Sequence, residues 1–277
     1  MRSLARKIYY SFPPKWRLIV RRIFFLPIDV LSKREDLVPP KGMIYTGSGD
    51  FIKQGNHFLE HFKEAGLKQD HQVLDIGSGI GRMARALAFF LNEKGAYQGF
   101  DVVEKGVVWC TENIQKRFPN FNFTYVELQN SLYSESGDDA AKFKFPYADS
   151  SFNFSFLTSV FTHMPTEEVL HYIEEINRTL KDGGICFSTF FILNEESKNM
   201  MEKGSFKFPH SYGAYSLMDK NVDAANIAFE EEYLFKAIKE RGFIIKEVIY
   251  GNWCGDRPSK HNEFQDILIL EKKKEQS

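Results

Sequence analysis

A glycine-rich turn that follows a predicted strand carries the residues best suited to chemistry. The apolar run 73–76 contains Asp75 and leads into Gly-Ser-Gly-Ile-Gly at residues 77–81. Glycines there let the backbone turn sharply and approach a ligand, and the helix that follows offers free N–H groups. A second predicted strand, 97–102, contains Asp101, an acid placed to accept hydrogen bonds from both hydroxyls of a ribose. The pattern predicts a site for a nucleoside-containing ligand.

Two classes of ligand compete for this turn. A dinucleotide-binding site requires the pattern G-x-G-x-x-G or G-x-G-x-x-A directly after the strand. The pattern that starts at Gly77 fails at Arg82, and the pattern that starts at Gly79 begins too late. The order D-x-G-x-G-x-G, opening with Asp75, fits better. A carboxylate at that point suits a ligand with a cationic end, such as the ammonium and sulfonium of S-adenosylmethionine.

These residues resemble motif I of the class I S-adenosylmethionine-dependent methyltransferases. Further segments follow in the order of that family: Asp101 at the end of strand 2, residues 145–153 before strand 4, and residues 180–184, which are similar to the family's L-K-P-G-G turn. The resemblance covers roughly residues 42–272. Asn153 and Asp182 replace the usual Asp and Pro, but they lie outside the glycine turn.

The resemblance implies S-adenosylmethionine as cofactor, bound at the carboxyl ends of strands 1 to 4. The glycine turn would cradle the methionine part, the acid of strand 2 would hold the ribose, and residues after strands 2 and 3 would meet the adenine. Residues after strand 4 would lie beneath the sulfonium. In that order, the residues are Asp75, Gly77, Gly79 and Gly81; Asp101; Val102 with Glu127 or Leu128; and Thr158 or Ser159.

Residues 46–51, upstream of the first predicted helix, have two interpretations. In this family such a segment often folds over the cofactor. Alternatively, they form an ordinary loop with an Asx-type cap.

The acceptor side offers one candidate base and several aromatic residues. His163 follows strand 4 closely, and an imidazole suits general-base work on a hydroxyl; its alternative role is to fix the loop by a hydrogen bond. Residues 194–225 are predicted to be an irregular substrate-recognition insertion. The side chains that would line an acceptor site, or else fill a small separate core, are His210, Tyr212, Tyr215 and Trp253. No metal-ligand cluster is predicted.

A basic segment opens the chain and contrasts with an acidic remainder. Residues 1–40 carry a net charge of +6, and the other 237 residues carry −7, which argues against nucleic acid as a partner. Residues 1–28 mix basic, aromatic and aliphatic side chains, so they suit the interface of an anionic membrane. Alternatively, their apolar side packs on the main domain or on a second subunit. Pro13-Pro14 and Pro27 are expected to break the segment into two short pieces.

The elements that must position these residues alternate between strand and helix. Their order predicts an α/β fold, a Rossmann-like, mostly parallel seven-stranded sheet with helices on both faces and a final antiparallel hairpin. We expect one domain over residues 41–277. Three cysteines without a C-x-x-C pair fit a reducing cytoplasm, with the inner face of a membrane as a possible peripheral location.

The expected function is methyl transfer to oxygen on a small molecule, a glycan or a lipid-linked acceptor. The alternatives are an NAD(P)-dependent oxidoreductase on a similar fold and a non-catalytic cofactor-binding scaffold.

Overall fold

A computed structural model describes residues 14–47, 49–128, 137–220, 226–255, 257 and 262–274. Within these residues the chain forms eleven strands and seven α-helices. The strands are β1 (Gln72–Ile76), β2 (Ala96–Asp101), β3 (Phe121–Tyr125), β4 (Phe152–Leu157), β5 (Leu180–Phe190), β6 (Ile192–Leu193), β7 (His210–Ser211), β8 (Tyr215–Leu217), β9 (Ile227–Glu230), β10 (Phe243–Ile249) and β11 (Asp266–Lys272). The helices are α1 (Pro14–Leu31), α2 (Phe51–Glu64), α3 (Arg82–Ala88), α4 (Glu104–Cys110), α5 (Thr166–Thr179), α6 (Glu195–Lys203) and α7 (Glu231–Glu240).

The main sheet has seven strands in the order β10-β11-β5-β4-β1-β2-β3. Strands β1 to β5 pair in parallel, and β11 runs antiparallel to both β5 and β10. The predicted mostly parallel sheet with a final antiparallel hairpin is confirmed. The chain winds away from β1 in one direction and from β4 in the other, so the loops after these two strands part and leave a crevice at their carboxyl ends.

Helices cover both faces of the sheet. On one face, α2, α3 and α4 contribute Phe62, Leu87 and Trp109 to a core cluster with the strands. On the other face, α5 and α7 contribute Ile173 and Ile238 to a second cluster. Because most strand residues are buried on both sides, the strands read as nearly continuous apolar runs.

Helix α1 is one continuous helix, so the expectation that Pro27 breaks it was wrong. Pro27 lies inside Pro14–Leu31, and Pro13 lies outside the described residues. Asp29, two residues beyond Pro27, accepts the N–H groups of Lys41 (2.6 Å) and Gly42 (2.9 Å). This contact anchors the last turns of the helix against the chain that follows, and it offsets the hydrogen bond that proline cannot make.

The expectation of an irregular segment over residues 194–225 was also wrong. Asn194 caps α6 by accepting the N–H of Ser197 (2.9 Å), while the Ser197 hydroxyl accepts the N–H of Asn194 (2.9 Å). Strands β6, β9, β8 and β7 then form a second, four-stranded sheet. We call this sheet together with α6 the lid module; residues 221–225 lie outside the described residues.

Candidate active site

The glycine turn after β1 is tied to the end of β2. The N–H groups of Gly77 and Ser78 both donate to the carbonyl of Phe100, each at 3.0 Å. Gly77, Gly79 and Gly81 all have left-handed φ angles, of 86°, 58° and 77°. Because L-residues with side chains rarely adopt that region, glycine is required for this turn to close.

The three glycines differ in what surrounds them. A Cβ on Gly77 would lie 2.6 Å from Val160 Cγ2, and a Cβ on Gly81 would lie 2.8 Å from both Cys110 Sγ and Ile114 Cδ1. These two glycines are needed for close packing against the protein itself. A Cβ on Gly79 would meet only Thr46 Oγ1, at 3.4 Å, so Gly79 borders open space. That space is where a ligand can approach the backbone.

Asp101 fixes the turn and keeps capacity for a ligand. Its Oδ2 accepts the N–H of Gly79 (2.7 Å) and its Oδ1 accepts the N–H of Val103 (2.8 Å). Burial raises the pKa of this carboxyl to about 6, against the opposing effect of those two N–H groups. Since each carboxylate oxygen has two lone pairs, one on each remains for further donors such as a pair of hydroxyls.

Asp75 is a buried acid without a charged partner among the contacts described. Its side chain is 3% exposed, and its Oδ2 accepts the hydroxyl of Tyr97 at 2.6 Å. Burial raises the pKa of Asp75 to about 8, an effect that the Tyr97 hydrogen bond reduces only partly. Asp75 is therefore protonated at neutral pH, and a cation brought beside it would lower that pKa and ionise it.

We expect Asp75 to make the protein less stable as the pH rises. The pKa of Asp75 in the folded protein is raised above its unfolded value of 3.8. Below pH 4 the carboxyl is protonated in both the folded and the unfolded protein, so its contribution to stability is fully present there. As the pH rises towards 8, the unfolded protein loses this proton while the folded protein keeps it, and the free energy of unfolding falls. Between pH 5.5 and 7.5, the free energy of unfolding of wild type should fall relative to Asp75→Asn by roughly 1–3 kcal/mol. Urea unfolding of both proteins across this range measures the difference, and parallel curves would contradict the assignment.

The cap interpretation of the segment before α2 is confirmed, and its role of folding over the cofactor stays a prediction. Asp50 caps α2 by accepting the N–H groups of Ile52 (3.0 Å) and Lys53 (2.8 Å), as the cap interpretation predicts. Arg82 donates to the carbonyl of Thr46 at 2.8 Å and also contacts Gln54. The segment is thereby held over the open space beside Gly79.

The remaining residues assigned to the cofactor follow β2, β3 and β4. Val102 is half-buried next to Asp101, and Glu127 is exposed, whereas the Leu128 side chain is buried in the core cluster with Phe145. Leu128 can therefore reach a ligand through its backbone only. Its partner in an isolated bridge is Asp138.

The chain bends sharply where it leaves β4. Thr158 is half-buried, and Ser159 has a left-handed φ of 59°, which a non-glycine residue adopts only when its surroundings impose it. The N–H of Ser159 donates to Thr189 Oγ1 (2.7 Å), and its hydroxyl donates to Gln265 Oε1 (2.9 Å). His163 ends the 3-10 turn Phe161–His163 that follows, and it is half-buried.

The four aromatic candidates for the acceptor fall into two groups. Tyr212 and Tyr215 stack at 5.3 Å on the lid module, near the half-buried His210 of β7. Trp253 is buried, donates to Asp266 Oδ2 at 2.7 Å and packs on Phe191. Trp253 thus belongs to a separate small core, and it does not join the other three.

The sequence reasoning missed Asp266, the acid that opens β11. It is buried and accepts the N–H groups of Ile192 (2.6 Å) and Gly251 (2.7 Å) as well as the Trp253 indole. Burial raises the pKa of Asp266 to about 7. This side chain joins the lid module to the last two strands. Its only sequence signal was an acid directly before the apolar run 267–270.

Comparisons with known proteins match this geometry. A family model described as a methyltransferase domain matches residues 74–188, which include the glycine turn, Asp101 and the chain that leaves β4. The chain is 28% identical over 149 residues to the sterol 24-C-methyltransferase ERG6A of Gibberella zeae. That match covers 53% of this chain and 34% of the relative, so the chain spans about a third of the curated relative's length.

Two solved structures show the same fold. A S-adenosylmethionine-dependent methyltransferase from Methanosarcina mazei superposes with a TM-score of 0.53 at 20% identity, covering 77% of this chain and 98% of that chain. The PH0226 protein from Pyrococcus horikoshii superposes with a TM-score of 0.55 at 16% identity, covering 80% of this chain and 91% of that chain. The family match identifies residues 74–188 as a methyltransferase domain. The strand order and the D-x-G-x-G-x-G turn over an acid at the end of β2 give the chain the fold of the class I S-adenosylmethionine-dependent methyltransferases.

Proposed function

We propose that this chain transfers the methyl group of S-adenosylmethionine to an oxygen atom of an apolar, lipid-type small molecule. The observation that carries the proposal is the open space beside Gly79, bordered by the partly free carboxylate of Asp101. When bound, S-adenosylmethionine supplies a methyl group already activated by a sulfonium. The protein's task is then to bind, align and exclude water.

The residues around the glycine turn suit the separate parts of this cofactor. Asp101 binds the ribose hydroxyls through its remaining lone pairs. Gly79 lets the methionine part approach the backbone, and Asp75 supplies a carboxyl beneath the turn that a cation ionises. Val102 and the chain at Glu127 and Leu128 border the adenine, and Thr158 and Ser159 lie at the reacting end.

We expect Asp101→Ala to weaken binding of S-adenosylmethionine by roughly 1–3 kcal/mol, about 5- to 150-fold, because charge-assisted hydrogen bonds to the ribose are lost. The matched control is Asp70→Ala, which removes an exposed acid outside the site. Titration calorimetry measures both affinities, and circular dichroism checks the fold. A folded Asp101→Ala protein with wild-type affinity would exclude the ribose role.

The relatives and the site support a lipid-type acceptor. The curated relative is named for a sterol substrate, and the stacked Tyr212 and Tyr215 of the lid module offer aromatic surface that can pack on an apolar ligand. His163 lies in the turn that follows β4. Its imidazole accepts the proton that a hydroxyl acceptor loses. A hydroxyl on an apolar molecule satisfies both features.

Transfer of labelled methyl from S-adenosylmethionine into a lipid extract tests the proposal. Wild type should move label into the organic phase, and cleavage of methyl ethers with hot hydriodic acid should release the label as methyl iodide. The matched control is Gly79→Val, which should move none. Label found only in water-soluble products would rule out a lipid-type acceptor, and label that resists ether cleavage would rule out oxygen.

Helix α1 supports a membrane-bound acceptor, because its apolar face points away from the domain. Asp29 and the backbone at Arg22 contact the 3-10 turn Lys41–Met43. The opposite face exposes Phe24 by 74% and Leu31 by 85%, and the same stripe includes Ile19, Val20, Ile23, Leu26, Val30. The expectation that this apolar side packs on the domain was therefore wrong for the described residues.

We propose that this face lies in the interface of an anionic membrane. None of the described helices is long and apolar enough to cross one. Arg21 and Arg22 lie in this helix, and Lys33 and Arg34 follow its end. Each basic residue near an anionic leaflet adds about 1 kcal/mol of attraction. Anionic lipid complements both the charge and the apolar surface of this helix.

We expect the full chain to float with vesicles of phosphatidylserine and phosphatidylcholine at low salt. Phe24→Ser/Leu31→Ser should stay at the bottom, because it removes exposed apolar surface and leaves the Asp29 contact intact. Deleting residues 1–40 is a poorer test, since Leu37 and Val38 pack on the core. If wild type does not float, the membrane proposal fails. If wild type sediments as a dimer that the double variant splits, the face binds a second copy instead.

A further inference from the structure

Two histidines of α2 contact a glutamate of the last loop that lies about 200 residues later in the sequence. His57 and His61 are four residues apart on one helix, so their rings lie on the same face. The Nε2 atom of His61 lies 2.8 Å from Glu263 Oε1, and the Nε2 atom of His57 also contacts that oxygen. One donor atom from each residue lies within 4.8 Å of the other two.

The surroundings of this cluster suit a bound cation. The side chains of His61 and Glu263 are 3% and 10% exposed, while that of His57 is 45% exposed, so the cluster opens to solvent at His57. Phe58 and Phe187 flank the His61 ring. The cluster therefore offers two imidazole nitrogens and one carboxylate oxygen as donor atoms.

We propose that His57 Nε2, His61 Nε2 and Glu263 Oε1 form a zinc site. Two histidines and one glutamate are a common zinc donor set, which leaves the fourth tetrahedral position to water. Ligand atoms about 2.0–2.2 Å from zinc are about 3.3 Å from each other in a tetrahedron. The two contacts between an imidazole nitrogen and Glu263 Oε1 must therefore lengthen slightly, and the exposed His57 side chain has room to move.

The site would connect α2 to the chain that borders the acceptor. The carbonyl of Glu263 accepts the N–H of Asn252 at 2.8 Å, and two residues later Gln265 accepts the hydroxyl of Ser159 at 2.9 Å. Zinc bound here would hold this loop against α2, next to the bend that follows β4. The role of the zinc would be to position the loop. This inference does not depend on whether the methyl acceptor is a lipid.

Cobalt and zinc binding test the site without any enzyme assay. The full chain, freed of any histidine tag and stripped with EDTA, is titrated with Co²⁺, whose visible absorption is intense only in a tetrahedral site. The variants are His57→Asn, His61→Asn and Glu263→Gln. The matched control is His71→Gln, which removes an imidazole that precedes β1 at the opposite edge of the sheet. All three cysteines are buried, and burial raises the pKa of their thiols, so they compete little for metal.

Wild type and His71→Gln should bind one equivalent of Co²⁺ with intense absorption, displaced by one equivalent of Zn²⁺. Saturating Zn²⁺ should raise Tm by ~5 °C or more. His57→Asn, which alters an exposed side chain and should fold normally, should weaken binding at least tenfold, and the other two should abolish it. Absence of binding by wild type, or equal binding by wild type and His57→Asn, would mean that the cluster is a hydrogen-bonded contact only.

Discussion

Gly79→Val is expected to abolish binding of S-adenosylmethionine while the protein stays folded. The added side chain would point into the space below Thr46, where a Cβ already lies 3.4 Å from Oγ1 and two further methyl groups would fill the cradle. The φ of 58° is also unfavourable for valine, so the turn would shift away from Asp101. We expect a loss of affinity of at least about 100-fold, read by calorimetry.

Gly66→Val separates backbone strain from obstruction of the site. Gly66 has a φ of 103°, and nothing lies within 4 Å of its Cβ position. This variant should lose about 1–2 kcal/mol of stability and still bind the cofactor as wild type does. If Gly79→Val bound with wild-type affinity, the glycine turn would be a structural feature only.

His163→Ala is expected to lower kcat by about 10²–10⁴, with the affinity for S-adenosylmethionine unchanged. Removal of the imidazole leaves a hydroxyl acceptor without a group to take its proton. The rise of kcat with pH that a neutral imidazole base produces should also disappear. Steady-state kinetics on the identified acceptor, between pH 5.5 and 9, measure both effects.

His71→Ala is the control for the loss of a histidine, because His71 precedes β1 at the opposite edge of the sheet from His163. It should keep wild-type kcat. A loss of less than tenfold in His163→Ala would return His163 to a role in fixing the loop after β4.

Local patterns predicted the sheet and the cofactor turn. The strands are short apolar runs with turn residues at their ends. The glycines between Asp75 and Gly81 mark the turn between β1 and α3, and Phe100 and Asp101 then fix that turn by hydrogen bonds. The parallel arrangement then places Asp101 beside that turn, because neighbouring parallel strands end at the same edge. The fold and the position of the glycine turn beside Asp101 could therefore be predicted from one sequence, while the roles of these residues toward the cofactor stay predictions.

The acceptor side depends on contacts that have no local signal. Strands β7 and β8 have two and three residues, too few to show a period, and α6 is a short polar helix that its Asn194 cap defines. The contact between His61 and Glu263 joins residues 202 positions apart. No spacing rule finds such a pair. Helix α1 continues through Pro27 because Asp29 anchors it, another contact that only the folded chain reveals.

Titration calorimetry of the wild-type chain with S-adenosylmethionine and, separately, with NADH tests the central claim most directly. The geometry of Gly79, Asp101 and Asp75 predicts one molecule of S-adenosylmethionine bound per chain and no heat with NADH. It also predicts proton release on binding at pH 7, seen as a dependence of the heat on the buffer, because the cation ionises Asp75. Binding of NADH in preference to S-adenosylmethionine, or of neither, would contradict the account.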